Sequence, residues 1–120
     1  MIYFTSDYTE GCHSRILDRM IRTNFEQTSG YGTDYHCQNA ARYILAECGR
    51  EDAQVHFLVG GTQTNLTVIA AALRPHQAAV GAETAHINVH ETGAIEATGH
   101  KVITLPSQDG KVDPTLAAEV

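Results

Sequence analysis

The segment with the clearest potential for chemistry is Val59–Asn65, with the sequence VGGTQTN. It follows the apolar run Gln54–Val59, which predicts a buried strand, and it precedes residues with helical periodicity. Free amides at a helix N-terminus attract anions, and glycines let a backbone approach a ligand closely. Gly60, Gly61 and Thr62 are therefore candidates for holding a phosphate group. The segment matches neither the Walker A loop nor the dinucleotide fingerprint, and a strand-helix turn without a ligand is the alternative interpretation.

A second candidate group lies among the histidines, of which there are seven in 120 residues. His86 and His90 stand four residues apart and Glu91 follows directly, so on a helix the two rings would share a face and could bind a metal. No third ligand is evident, and we therefore expect no metal site. His86 follows a predicted strand, and ligands of α/β sheets bind at the carboxyl ends of parallel strands. An aromatic ring placed there could stack on a planar cofactor.

These residues are positioned by a predicted alternation of helices and strands. Three strands separated by helices are typical of a parallel sheet with right-handed crossovers. The predicted helices are Ser14–Asn24, Tyr35–Glu47 and Thr62–Leu73, with a partly helical segment at Ile87–Ala97, and the predicted strands are Gln54–Val59, Ala78–Gly81 and Lys101–Leu105.

Asp113 and Pro114 form a strong helix start, an N-cap followed by proline at the first helical position. No C-cap and no further strand follow, although α/β units pair each helix with another strand. We therefore expect this chain to be the amino-terminal portion of a longer α/β protein.

Composition and charge exclude several classes of protein. With 120 residues and 42% apolar content, the chain is long enough for one soluble domain at most. Eight basic against fourteen acidic residues give a net charge of -6, which argues against a nucleic-acid binder. No window approaches the roughly 18 apolar residues of a membrane span, and the start lacks a secretory signal. Three widely spaced cysteines without a C-x-x-C pair indicate neither a disulfide framework nor a zinc knuckle. We expect a cytoplasmic protein.

Taken together, the motifs resemble those of the threonine aldolase and β-eliminating lyase family, in order and in spacing. The resemblance covers nearly all of this chain and the first third or so of a typical family member. The residues that carry it are Ser6-Asp7 with Gly11 and His13, Gly30–Asp34, Gly60–Asn65, and Ala85-His86-Ile87 leading to Glu91 and Gly93-Ala94.

The resemblance implies an α/β fold, the N-terminal part of the large domain of an aspartate-aminotransferase-like pyridoxal-phosphate enzyme, with a mostly parallel sheet and flanking helices. Residues 1–50 would form an N-terminal helical arm and loop segment. Residues 51–120 would form the first part of the α/β cofactor-binding domain.

The resemblance also implies a cofactor, pyridoxal 5'-phosphate, and residues that hold it. Gly61 and Thr62, together with Gly60, resemble the loop that binds the cofactor phosphate. His86 resembles the catalytic histidine that stacks on the pyridine ring. Glu91 stands where the family has a glutamate close to the cofactor.

For the substrate, Ser6 resembles the serine that helps to hold the amino-acid carboxylate. Tyr31 resembles a tyrosine contributed near the active site across a subunit interface. The implied activity is cleavage of a β-hydroxy-amino acid, threonine or allo-threonine to glycine and acetaldehyde, in a homodimer or homotetramer with shared active sites. Ser14 stands where the family often has proline, and Ala94 where many threonine aldolases have glycine. These departures leave aldol cleavage and another β-elimination both open.

Enzymes of this family need a lysine bonded to the cofactor and an aspartate that pairs with the pyridine nitrogen. The lysines of this sequence, Lys101 and Lys111, do not occupy the family's position, which the resemblance implies lies beyond Val120. The chain alone is therefore predicted to be inactive. The alternative function is a stand-alone α/β module that binds a phosphorylated ligand without catalysis.

Overall fold

The computed structural model describes Thr5 and residues 8–120. The chain divides into two compact units, Met1–His56 and Phe57–Val120. The described part of the first unit is helical, and the second unit combines helices with short strands. The predicted division of the chain at residue 50 stays a prediction. No helix among the described residues is long and apolar enough to cross a membrane.

The first unit contains helices α1 (Ser14–Thr23) and α2 (Tyr35–Cys48). The predicted signals at the ends of α2 are confirmed. The Asp34 carboxylate accepts a hydrogen bond from the backbone amide of Cys37 at 3.0 Å, which caps the first turn. Gly49 ends the helix with a left-handed φ of 60°, a conformation that glycine adopts without strain.

The apolar stripe of α1 lies at helical spacing, but the described residues do not bury it. Its four members remain half or more exposed: Ile16, Leu17, Met20 and Ile21. Periodicity therefore identified the helix and its apolar face correctly, whereas the burial expected of that face is not found.

The second unit contains helix α3 (Gly61–Ala72) and a parallel pair of strands, β1 (Ala79–Ala82) and β2 (Val102–Leu105). The register runs from Ala79 opposite Val102 to Ala82 opposite Leu105. Between the strands lie helix α4 and a single 3-10 turn, and after them come a short hairpin and helix α5. These elements are α4 (His86–Val89), the 3-10 turn Glu96–Thr98, β3 (Ser107–Gln108), β4 (Lys111–Val112) and α5 (Pro114–Ala117).

The apolar core of this unit lies at the carboxyl ends of the two parallel strands. Ala82 and Leu105, the last paired residues of β1 and β2, are both buried, and Ile95 is 0% exposed. His100 is also buried, and its ring Nδ1 lies 3.2 Å from the carbonyl oxygen of Gln77, which accepts its proton. The buried histidine therefore has the hydrogen-bond partner that burial requires.

The predicted strand Gln54–Val59 is not formed. Phe57, Leu58 and Val59 are 47%, 40% and 95% exposed, so the segment is not buried either. A strand is held by backbone hydrogen bonds to a neighbour, and in the part of the chain that the structure describes β1 pairs with β2 alone. The prediction of a buried strand is therefore wrong, because composition identifies an apolar segment but not the partner strand that it needs.

The hairpin of β3 and β4 was not predicted from the sequence. Asp109 and Gly110 have φ angles of 53° and 72°, and a two-residue loop with two left-handed residues is the tight turn that suits a hairpin. The helix start at Asp113 and Pro114 is confirmed. The Asp113 carboxylate accepts from the amide of Thr115 at 2.8 Å.

Candidate functional site

The N-terminus of α3 is open to an anion. Gly60 is the N-cap residue, and no side chain caps the amides of the first turn. A Cβ built at Gly60 or Gly61 would meet no atom within 4 Å, so both glycines are open on the side where a side chain would stand. Thr62, in the first turn, is half-buried. Unpaired amides and the helix dipole together favour a negatively charged group here.

Two side chains of α3 brace the loop that enters it. The hydroxyl of Thr64 donates to the carbonyl oxygen of Gly60 at 2.9 Å, and the amide oxygen of Gln63 accepts from the backbone amide of Val59 at 2.8 Å. Both bonds tie residues of the first helical turn back to the preceding loop. The backbone at the open helix end is thereby held in place without a ligand.

A second set of polar groups converges on Glu91. The amide nitrogen of Asn65 lies 2.5 Å from Glu91 Oε1, and Nδ1 of His86 lies 2.8 Å from the same oxygen. Glu91 is only 2% exposed, whereas the side chain of His86 is 62% exposed. The second carboxylate oxygen, Oε2, is buried and has no hydrogen-bond partner in the described part of the chain. Asn65, His86 and Glu91 are called the Glu91 cluster below.

The electrostatics of this cluster favour an ionised carboxylate. Burial raises the pKa of Glu91, but the hydrogen bonds from Asn65 and His86, and the charge that His86 can carry, outweigh burial and leave the pKa below its usual value. An ionised carboxylate only accepts hydrogen bonds, so Nδ1 of His86 carries the proton in this contact. Nε2, at the other edge of the ring, is not engaged by Glu91.

Local backbone geometry places His86 and Glu91. His86 begins α4, four residues after β1 ends, and the amide of Ala85 donates to the carbonyl oxygen of Ala82 at 2.9 Å in the turn between them. After Glu91 the chain turns at once, because Thr92 and Gly93 both have left-handed backbone, with φ of 49° and 78°. His86 therefore stands at the carboxyl end of a parallel strand, as the sequence predicted.

The histidine pair lacks the further ligand that a metal site needs. The ring centroids of His86 and His90 are 5.2 Å apart, with an interplanar angle of 49°. No group of three or more histidine, cysteine or acidic side chains that could hold a metal occurs in the described ranges, residue 5 and residues 8–120. Nδ1 of His86 is already engaged by Glu91.

Only one of the two residues predicted to hold substrate lies in the part of the chain that the structure describes. Ser6 lies outside the described residues. Tyr31 belongs to the first unit, where the amide of Thr33 donates to the carbonyl oxygen of Gly30 at 3.3 Å and closes a turn. Tyr31 is fully exposed at the tip of that turn, with a left-handed φ of 60° that a tyrosine rarely adopts. Such backbone strain is found preferentially at functional sites.

The sequence analysis did not identify Asn65 as a partner of Glu91. Asn65 stands four residues after Gly61, so it lies on the same face of α3 as the first residue of the helix. That spacing was the signal in the sequence that could have identified Asn65 as a site residue. It connects the open helix end with the Glu91 cluster, both within the second unit.

Comparisons with known proteins show which family the chain belongs to. Residues 4–119 match the family model described as beta-eliminating lyase. The chain belongs to this family. The solved structure of a threonine aldolase from Leishmania major is 52% identical and superposes on 97% of this chain with a TM-score of 0.91, which corresponds to 34% of the Leishmania chain.

Two curated relatives are low specificity L-threonine aldolases, from Pseudomonas sp. (strain NCIMB 10558) and from Pseudomonas aeruginosa. They are 29% and 27% identical over 119 residues, which are 98% of this chain and 34% of each relative. This β-eliminating lyase chain therefore spans about a third of the length of the relatives it matches. The family resemblance and the predicted fold class, the α/β pyridoxal-phosphate fold with a parallel sheet and flanking helices, are confirmed.

Proposed function

We propose that this β-eliminating lyase chain supplies the phosphate loop and the ring-holding histidine of a pyridoxal 5'-phosphate enzyme that cleaves the Cα–Cβ bond of a β-hydroxy-amino acid. Threonine or allo-threonine would give glycine and acetaldehyde. The observation that carries the proposal is the connection between the open end of α3 and His86, made by Asn65 and Glu91. The names of the aligned relatives, all threonine aldolases, support the substrate class.

The residues present fit such a cofactor. A phosphate needs unpaired donors, and the first turn of α3 offers amides that no side chain among the described residues caps, next to glycines that are open on their side-chain side. A planar ring needs an exposed flat surface, and the side chain of His86 is 62% exposed although one edge is held. Gly60, Gly61 and Thr62 would hold the phosphate, and His86 would contact the ring. When bound, the cofactor supplies an electron sink for the carbanion formed at the substrate's Cα.

The chain's own residues perform binding and orientation. Amides at the start of α3 donate to the phosphate, and the helix dipole adds about 0.3–1 kcal/mol for an anion there. Glu91 accepts the Nδ1 proton of His86 and so restricts rotation of that ring. A ring held at one edge presents its face in a fixed direction, which favours productive orientation of what it contacts. His86 is the catalytic residue of this chain in the proposed reaction.

The substrate contacts and the assembly are further parts of the proposal. Ser6 would donate to the substrate carboxylate, and Tyr31, fully exposed on its strained turn, would reach the active site of another subunit. This requires a homodimer or homotetramer with shared sites, which we propose to be cytoplasmic. Lys101 directly precedes β2 and Lys111 lies in β4. A polypeptide limited to residues 1–120 would be inactive, because the resemblance implies that neither lysine stands at the position of the lysine that is bonded to the cofactor.

The test is a titration of the full-length purified protein with pyridoxal phosphate, followed by absorbance, with release of acetaldehyde from threonine as the second readout. We expect a visible band and aldehyde formation. A protein without the band after loading contradicts the cofactor. A band without cleavage of threonine or allo-threonine favours elimination from another β-substituted amino acid. Binding without any turnover favours the non-catalytic phosphate-binding module.

A matched pair of variants tests the role of His86. His86→Phe keeps a planar ring but loses the bond to Glu91, and His86→Ala loses both. We expect the alanine variant to bind the cofactor more weakly than the phenylalanine variant, and both to turn over more slowly than the parent. Equal affinity in all three proteins would show that the ring does not contact the cofactor.

A further inference from the structure

We propose that Asn65 is a positioning residue, which fixes the ring of His86 through the acceptor that the two side chains share, Glu91 Oε1. The role given to the ring of His86 rests on the proposed function. The hydrogen bonds that link the three residues are observed independently of it. Asn65 touches neither the phosphate loop's amides nor the exposed face of His86 through any hydrogen bond that the structure describes.

The location of Asn65 makes it a connection between two distant parts of the sequence. It lies in the second turn of α3, about 6 Å along the axis from Gly61. Its partner Glu91 is 26 residues further along the chain, just beyond α4, which begins with His86. The hydrogen bond between Asn65 and Glu91 therefore links α3, whose N-terminus is open, to the segment that carries the histidine.

The distribution of hydrogen-bond donors around Glu91 shows why Asn65 affects the orientation of the carboxylate. Oε1 receives both donors, from Asn65 and from His86, while Oε2 is buried without a partner among the residues described. A carboxylate with donors on one oxygen only is held less firmly once one of them is lost, because no hydrogen bond among the described residues holds its other oxygen. Without the amide of Asn65, the bond to His86 is the one hydrogen bond in the described part of the chain that orients the carboxylate.

A structural role and a positioning role for Asn65 predict different results. If Asn65 only satisfies a buried charge, its loss lowers stability and leaves the Nδ1 contact of His86 as it was. If Asn65 positions Glu91, its loss also opens that contact more often. The proton on Nδ1 exchanges with water when the contact opens, so its exchange rate distinguishes the two roles.

The experiment is NMR of the full-length protein with 15N-labelled histidine and no added cofactor. The His86 signals are assigned by their absence in His86→Gln. Asn65→Leu keeps a similar side-chain volume and removes the donor. We expect exchange of the Nδ1 proton to accelerate roughly fivefold, the population change that corresponds to about 1 kcal/mol for one net hydrogen bond. Asn65→Ala serves as the second variant if the leucine variant does not fold.

Asn88→Ala is the matched control, because it removes an amide two residues from His86 whose bond goes to the carbonyl oxygen of Glu83 at 2.7 Å and not to Glu91. We expect little change in this control. Unchanged exchange in the Asn65 variants, or equal acceleration in Asn88→Ala, would overturn the proposal. If the protein binds no pyridoxal phosphate, the proposed function fails, while the exchange result, measured without cofactor, still decides the role of Asn65.

Discussion

Replacing Gly60 by aspartate separates the stability of α3 from its capacity to bind an anion. Gly60 is the N-cap residue, its backbone is extended, which any residue adopts, and a Cβ there would meet nothing within 4 Å. The new carboxylate would accept from the free amides of the first turn. We therefore expect Gly60→Asp to fold and to be more stable by a few tenths of a kcal/mol.

The same substitution would weaken phosphate binding in two ways. It occupies amides that a phosphate would use, and it adds a negative charge beside them. Two unit charges about 5 Å apart at an effective dielectric constant of about 20 repel by about 3 kcal/mol. That energy corresponds to a loss of affinity on the order of a hundredfold. Gly60→Asn is the matched control, because its side chain caps the same amides without adding a charge. It therefore competes with the phosphate for these amides but does not repel it.

The assay combines two measurements on the full-length proteins at low ionic strength. Urea unfolding without phosphate gives the stability, and absorbance titration with pyridoxal phosphate gives the affinity. We expect Gly60→Asp to be at least as stable as the parent. We expect the affinity for pyridoxal phosphate to be highest in the parent, lower in Gly60→Asn and lowest in Gly60→Asp. If the aspartate variant binds within twofold of the asparagine variant, no anion sits at the N-terminus of α3, and the argument for the phosphate loop is refuted.

Three further expectations concern the framework of the second unit. Ile95 is fully buried, so Ile95→Ala should lower the free energy of unfolding in urea by about 2–5 kcal/mol, and Ile95→Val should lower it by about 1 kcal/mol. Equal losses in the two variants would contradict tight packing at this position. Gly81→Val should cost about 1–3 kcal/mol, because even the first added carbon would lie 3.2 Å from the Cβ of Ala85; a neutral effect in thermal unfolding would contradict this. The folded-state pKa of Glu91 lies below its usual value, so its contribution to stability is present above the unfolded-state pKa and is lost as pH falls through the lowered one. An acid titration of the urea midpoint should show a larger decline in the parent than in Glu91→Gln, which keeps the other carboxylates whose pKa is lowered.

Features that depend on neighbouring residues were predictable from the sequence. The caps at Asp34 and Asp113 and the left-handed stop at Gly49 each involve a side chain or backbone within a few residues. His86 and Glu91 are five residues apart, and both were identified as candidates before their contact was seen. Such local signals set the ends of the helices and the position of the histidine.

Features that require a distant partner were not predictable in the same way. The segment Gln54–Val59 has the composition of a strand, but strand formation depends on a neighbour that composition does not reveal. The contact of Asn65 with Glu91 spans 26 residues and depends on how α3 lies against the turn after α4. The burial of the α1 stripe likewise depends on a surface that the helix does not itself contain.

The burial of Glu91 is better explained by its effect on His86 than by stability. An ionised carboxylate that is 2% exposed loses its hydration, and only one of its two oxygens recovers hydrogen bonds among the described residues. A buried charge with incomplete partners costs more than an apolar side chain of similar volume in the same place. What an apolar side chain cannot do is accept the Nδ1 proton and so decide which way the imidazole ring faces and which nitrogen stays free. We therefore attribute the burial of Glu91 to its effect on His86, a histidine held at the carboxyl end of β1 in the same unit as the helix whose N-terminus is left open.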